Sequence, residues 1–314
     1  MDSKKVKSVL RIIGYIIGIG IFSKFIYDLV EELASSSYTI EINWYFVILS
    51  MLIIIAVYFF QIINYHFLLR YLGVAIHLKT TLIGYALSFL PKYIPGHLWG
   101  YLSRTDWYQT NAKISPNKSI LASGLELIIT VATSLAIWAI HEIGVSNKMA
   151  LHYQIAVFFL PMILVFPVNL LGRLKFKGKA IFEIERINVS QWLVVVANSY
   201  FQWILFGIAL KLLILSLNND IILPETTLSK SIYAFARSWV SGFLAILIPN
   251  GLGVREVVLK KQLLTMGLLD GAKAALASTA SRLTMLLAEL TWIIPTIILK
   301  TRFVDKNKPK GLLQ

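Results

Sequence analysis

Four ionisable side chains, Glu126, Arg237, Arg282 and Glu289, lie inside stretches that are otherwise apolar. Such a group costs about 2.5–3.5 kcal/mol at the centre of a bilayer on insertion scales, so it normally faces a cavity or a partner. Arg282 and Glu289 are seven residues apart and would share a helix face two turns apart. That is too far for a direct pair, so each is expected to meet another segment. Further charges flank two Pro/Gly motifs. The first reads Phe89-Leu90-Pro91-Lys92-Tyr93-Ile94-Pro95-Gly96-His97 and is followed by Arg104. The second reads Ile248-Pro249-Asn250-Gly251-Leu252-Gly253-Val254-Arg255-Glu256.

The chemistry these residues suggest is anion binding. Backbone N–H groups freed at Gly96, Gly251 and Gly253 could hold an anion as helix N-termini and nests do. The planar fork of Arg104 or Arg255 suits phosphate oxygens. Glu126 is a candidate counter-ion for either arginine. Plainer readings stand beside these: Arg104 as an interfacial charge, Arg255 paired with a neighbouring carboxylate, Lys92 and His97 as interfacial residues, the rest as a buried structural network. The candidate substrate-binding set is Lys92, Pro95, Gly96, His97, Arg104, Glu126, Arg237, Asn250, Gly251, Gly253, Arg255, Glu256, Arg282 and Glu289.

Signatures of catalysis are missing, and the protein is expected not to be an enzyme and to need no cofactor or metal. With no cysteine there is no thiolate nucleophile, disulfide or Cys-ligated metal. There is no His-Glu-x-x-His helix, Gly-x-Ser-x-Gly elbow or P-loop. Val240-Ser241-Gly242 is reminiscent of an intramembrane serine site, but Trp239 precedes it where glycine would stand. Asp220 and Glu225 on one short loop are slender support for a lipid-sugar glycosyltransferase.

The elements that must position these residues are membrane spans. Of the 314 residues, 57% are apolar and 15% charged, against about 45–50% and 25% in soluble domains. The mean hydropathy is +0.71. The apolar residues gather into blocks of bilayer-crossing length. Continuous blocks fall at about 10–30, 44–69, 119–141, 152–172, 191–215 and 274–299, and interrupted ones at about 80–103 and 229–262. The run from Leu10 to Val30, after Lys4, Lys5, Lys7 and Arg11, exceeds a signal-peptide core and reads as a retained span. Gly14-x-x-x-Gly18 within it could be a close helix contact. Trp44, Tyr45, Trp107, Tyr108 and Trp192 fit interfacial belts.

Loop charge selects the topology. If both interrupted blocks crossed the membrane, the basic 173–188 loop would lie outside, against the positive-inside rule. If both enter and return on one side, that loop, 70–79, 103–118 and the basic tail are cytoplasmic, while 31–43 and the acidic 216–228 loop are outside. Lys260-Lys261 alone run against this arrangement. The expected architecture is therefore an all-α polytopic membrane protein of six spans and two re-entrant hairpins, both termini cytoplasmic. The tips are expected to meet near the midplane, because irregular backbone at membrane depth must be buried in protein or line a cavity. The net charge of +14 is read as topology and lipid contact, and no nucleic-acid partner is expected.

A repeat supports the pairing of hairpins. Pro95 and Pro249, Gly96 and Asn250, and Trp138 and Trp292 are each 154 residues apart, and Lys118 and Lys273 are 155 apart. Units 80–141 and 229–299 are expected to be an inverted repeat. Matching broken segments in two halves point to a transporter's binding site.

The two motifs also carry a family resemblance. Lys92-Tyr93-Ile94-Pro95-Gly96-His97-Leu98-Trp99, Arg104, Glu126 and the run Pro249 to Glu256 are similar to the lysylphosphatidylglycerol synthase transmembrane region, over about 10–300. That family includes the flippase-like domains of multiple-peptide-resistance factors. The motif residues that carry over are Pro95, Gly96, Arg104, Glu126, Gly251, Gly253, Arg255 and Glu256; His97 stands where lysine is common. The resemblance implies translocation of an anionic phospholipid or polyprenyl-phosphate-linked lipid in the inner (cytoplasmic) cell membrane. The sequence ends at Gln314 without an aminoacyl-transferase domain, so synthesis of lysyl-lipid is not expected. Membrane lipid is the expected partner, with glycan-assembly enzymes and a second copy of the chain as others. Two alternatives stay open: a membrane glycosyltransferase or its accessory subunit, and an ion-coupled transporter of small solutes.

Overall fold

The computed structural model describes residues 41–93, 99–146, 151–171, 175–176, 179–180, 187–218, 226–246 and 248–307, with isolated helical positions between 20 and 34. Five helices among these are long and apolar enough to cross a membrane: Trp44–Tyr71, Pro116–Gly144, Leu151–Leu170, Val189–Ser216 and Gly271–Leu299. They match five of the six expected spans. Most of the sixth, 10–30 with Gly14 and Gly18, lies outside the described residues, though Ile26 packs against Ala275.

In chain order the helices are α1 (Trp44–Tyr71), α2 (Leu78–Leu87), α3 (Trp99–Ala112), α4 (Pro116–Ser146), α5 (Leu151–Ile163), α6 (Val165–Leu171), α7 (Val189–Ser216), α8 (Thr227–Leu244), α9 (Val254–Thr265) and α10 (Gly271–Asn307). Two 3-10 turns form tips, tip 1 (Pro91–Tyr93) between α2 and α3 and tip 2 (Pro249–Gly251) between α8 and α9. Both interrupted blocks are therefore pairs of short helices around a Pro-bearing tip, because Pro withholds a donor and restricts the residue before it. The tips touch each other. The succession short helix, tip, short helix, long apolar helix occurs twice, as α2 to α4 and α8 to α10.

The span Leu151–Leu170 is interrupted at one turn residue. It divides into α5 and α6 at Leu164, three residues after Pro161. The Pro161 carbonyl accepts a hydrogen bond from the Trp192 indole at 2.9 Å, so a side chain satisfies a group exposed at the break. A two-residue antiparallel ladder, Lys175–Phe176 with Lys179–Ala180, follows.

Helix α7 lies at the centre, packed on α1, α4, α5, α8 and α10. Its partnership with α1 is antiparallel. The Asn43 N–H donates to Ser216 O at 2.8 Å, Ser50 Oγ to Ala209 O at 2.9 Å, and Asn198 Nδ2 to Phe60 O at 3.0 Å. The α10 side chains divide by face. Leu283, Leu287, Leu290, Ile294 and Ile297 form an exposed stripe at helical spacing, while Ser281, Arg282, Ala288, Glu289 and Thr296 are buried. That inverts a soluble amphipathic helix and suits a lipid exterior around a polar interior.

Candidate functional site

The polar interior is built from side chains delivered by both tips and the helices behind them. Arg104 on α3 is buried at 5% exposure rather than set at an interface. Its Nη1 lies 2.8 Å from Glu126 Oε2 on α4, and its Nε donates to Ser88 Oγ at 3.2 Å. Glu126 Oε1 accepts from the Tyr85 hydroxyl at 2.7 Å. The guanidinium also lies 3.7 Å from the Tyr85 ring centroid and 4.5 Å from that of Tyr65, within cation–π range. Of the two arginines open to Glu126 from sequence, the structure chooses Arg104.

Tip 1 is tied to α10. Lys92 Nζ lies 2.5 Å from Glu289 Oε1, which also accepts from Tyr58 at 2.6 Å, and Glu289 Oε2 accepts from Tyr93 at 3.0 Å. Three donors thus surround a carboxylate that is 2% exposed. The other buried charge of α10, Arg282, faces tip 2. Its Nε lies 3.5 Å from Glu256 Oε1, and its Nη2 donates to the Asn250 carbonyl at 3.5 Å. Arg282 and Glu289 each meet another segment, as their seven-residue spacing requires.

Arg255 is not paired with its neighbour Glu256. Consecutive residues on a helix point about 100° apart, and Glu256 turns into the protein toward Arg282 while Arg255 lines the central cavity. No carboxylate among the described residues lies within ion-pair distance of Arg255, and its buried Nε has no hydrogen-bond partner. Its guanidinium carbon lies 5.5 Å from the Trp239 ring centroid.

Two glycines make room for this side chain. A Cβ on Gly242 would come within 2.3 Å of Arg255 Cγ and 2.7 Å of its Nε. A Cβ on Gly251, whose φ is +65°, would come within 2.6 Å of the Gly242 Cα. Helix α8 and tip 2 therefore meet backbone to backbone, and Arg255 passes through the gap. Gly242 belongs to the stretch that suggested a serine site; its role here is packing. Asn250 takes a φ of +47°, which Asn tolerates better than most residues.

A cavity of about 160 Å³ joins these parts. Lys92, Arg104 and Arg255 line it together with Glu126 and Asn250, and α1, α4 and α7 add Gln61, Asn64, Thr130 and Gln202. A second cavity of about 20 Å³ is lined by Arg255, Glu256 and Arg282. Each of Lys92, Arg104 and Arg282 has a carboxylate partner, so Arg255 carries the uncompensated positive charge of this group.

Some expectations are corrected. Arg237 does not join the site. It pairs with Glu142 at 2.9 Å beside Trp138 and Tyr233, with 32% and 51% of the two side chains exposed. The reason is its position on α8, near the end of α4 rather than the tips. Arg237→Gln is expected to change stability by less than about 1 kcal/mol, as thermal unfolding in detergent would measure. The Gly251 N–H is not free for an anion, since it donates to Ile248 O at 3.1 Å inside the tip. Trp107, Tyr108 and Trp192 are buried rather than interfacial. Pro95, Gly96 and His97, and the acids Asp220 and Glu225, lie outside the described residues.

Sequence reading missed Tyr58, Tyr65, Tyr85 and Tyr93, whose hydroxyls and ring faces surround the charges. A signal was present: Tyr58 and Tyr65 are seven apart and share one face of α1.

The fold and this interior define a multi-pass membrane protein with two broken-helix segments converging on a charged cavity. The chain belongs to the family of the lysylphosphatidylglycerol synthase TM region, which matches residues 11–292. That places it among flippase-like, lipid-related membrane proteins. No curated protein matches the chain.

Proposed function

We propose that the protein is a lipid translocase that moves an anionic phospholipid or polyprenyl-phosphate-linked lipid across the inner cell membrane. The observation that carries this reading is Arg255, a cation with no carboxylate partner among the described residues, lining a cavity whose other cations are neutralised. Moving an ion from water into a medium like hydrocarbon costs on the order of 20 kcal/mol by Born solvation. A translocase must offset that cost with fixed partners along the way. Arg255 supplies the countercharge and a fork that matches phosphate oxygens. Arg104, held by Glu126 and Ser88, shapes the wall beside it.

In this reading both broken segments are re-entrant hairpins, related as an inverted repeat of 80–141 and 229–299. The recurring element order and the touching tips support it. Both termini are cytoplasmic. The protein acts by binding and carriage rather than by bond chemistry, alone or with a second copy or glycan-assembly enzymes.

The test is reconstitution into vesicles with phosphatidylglycerol carrying a dithionite-quenchable acyl fluorophore. The protein is expected to expose the inner-leaflet pool to dithionite. Arg255→Ala should slow that exposure by about tenfold to a hundredfold, the worth of a hydrogen bond to a charged group. An unchanged rate in Arg255→Ala sinks the phosphate site.

A further inference from the structure

We propose that the Arg255 site takes a small monovalent inorganic anion, of the chloride class, each time lipid leaves it, so that the protein exchanges one lipid phosphate for one free anion. This rests on the phosphate reading of Arg255 and names the ion that occupies the site on the way back.

The charges around the two cavities do not cancel. Lys92 is met by Glu289, Arg104 by Glu126 and Arg282 by Glu256. Arg255 is a fourth cation against three carboxylates, so among the described residues the group carries a net charge of +1. The excess cannot be shed as a proton. Arginine stays charged in proteins, and a neutral Lys92 would leave the buried Glu289 carboxylate without its cation. A lipid phosphate cancels the excess. A site that has released its lipid must cross back with the charge unbalanced, against the same solvation cost that opposes a bare phosphate.

The cavity suits an ion that removes this cost. At about 160 Å³ it holds a halide with several waters, since one water needs about 10–15 Å³. Arg255 is only partly buried. Its Cγ, Cδ and Nε lie against Gly242, and Nε is sealed in protein, so the Nη end is what meets the cavity. Lys92 and Asn250 line the same space with further donors; the Lys92 ammonium has three N–H groups and gives one to Glu289. A single excess cation also sets the valence. A monovalent anion returns the group to neutrality, and a divalent one such as sulfate overshoots it.

Lipid phosphate and halide thus leave the group with the same charge, and both halves of the cycle cross the membrane neutral. One phosphodiester moves one way, one anion moves the other, and no bond forms or breaks. A chloride gradient then drives the lipid.

The first measurement is chloride binding by the purified protein in maltoside micelles, read from chlorine NMR line broadening. Bromide and phosphatidylglycerol are expected to displace the bound chloride, and sulfate is not. Arg255→Ala should weaken chloride binding by about tenfold or more, as for the loss of a bond to a charged group. Asn250→Asp should do the same by supplying a fixed negative charge. It is nearly isosteric, and aspartate, like asparagine, tolerates the positive φ of this tip, so the melting temperature should hold.

The second measurement is exchange. Phosphatidylcholine vesicles carry a trace of short-chain fluorescent phosphatidylglycerol, which albumin extracts from the outer leaflet. The inner-leaflet pool should emerge about tenfold faster in chloride than in sulfate of matched ionic strength. Long-chain phosphatidylglycerol added to the outer leaflet should restore the rate in sulfate, because lipid then returns in place of the halide. Equal extraction in chloride and sulfate, with slow extraction in Arg255→Ala, overturns the exchange and leaves the phosphate reading standing. An unbroadened chloride line, or native broadening in either variant, overturns the anion site. Chloride binding that is lost in Arg255→Ala while lipid extraction stays at the native rate overturns the phosphate reading and the exchange with it.

Discussion

Glu126→Leu is expected to lower the unfolding free energy by about 3–5 kcal/mol, the cost of leaving a buried charge without its partner. The loss falls on Arg104. Its side chain is 6% exposed, and Glu126 is the carboxylate that compensates it, at 2.8 Å. Ser88 and the tyrosine rings would still touch the guanidinium, but none carries a negative charge. Tyr85 would also lose the acceptor of its hydroxyl. Combining Arg104→Met with Glu126→Leu should recover most of the loss, since a buried pair exchanged for apolar residues of similar volume is often neutral or better. Denaturant titration in micelles of the single and double variants measures this. A single variant that unfolds at the native midpoint would mean that water reaches Arg104 freely and that the pair is not structural.

Gly242→Ala is expected to weaken anionic lipid binding as much as removing Arg255 does, by about tenfold to a hundredfold. The added carbon would sit 2.3 Å from Arg255 Cγ and 3.0 Å from its Cδ, so the arginine must leave its slot between α8 and tip 2. These atoms lie midway along the side chain, and the far end cannot simply swing aside while the guanidinium stays beside Trp239. Because the effect runs through Arg255, Gly242→Ala should cost little more in an Arg255→Ala background, a coupling that a double-mutant cycle reads directly. Lipid binding at the native level in Gly242→Ala would contradict the placement of Arg255.

Membrane class was legible from the chain because hydrocarbon imposes a length and a composition on anything that crosses it. The span bounds of α1, α4, α7 and α10 follow the apolar blocks within a few residues. The two interruptions were legible for a related reason. Pro91 and Pro249 cannot continue a regular helix with full hydrogen bonding; the helices before them end at Leu87 and Leu244, and a 3-10 turn begins at each proline. The charged residues of the cavity were also legible as a set, since an ion in an apolar run must be accounted for. Five of them, Lys92, Arg104, Glu126, Arg255 and, behind the wall, Arg282, came together around one centre, with Asn250 beside them.

Their pairing was not legible. Spacing along the chain placed Glu256 beside Arg255, yet side-chain direction on α9 sends the two to different partners. It left Glu126 open between two arginines, and only the packing of α3 on α4 selects Arg104. Arg237 looked equivalent to Arg282 in an apolar run, but its height on α8 brings it to Glu142. The sequence by itself determined that this chain crosses a membrane, where its helices break and which charges must be sheltered, because those follow from the cost of polar groups in hydrocarbon. Only the tertiary structure decided which charge is left uncompensated, because neutralisation depends on contacts between segments far apart in the chain, and those contacts leave Arg255 facing the cavity.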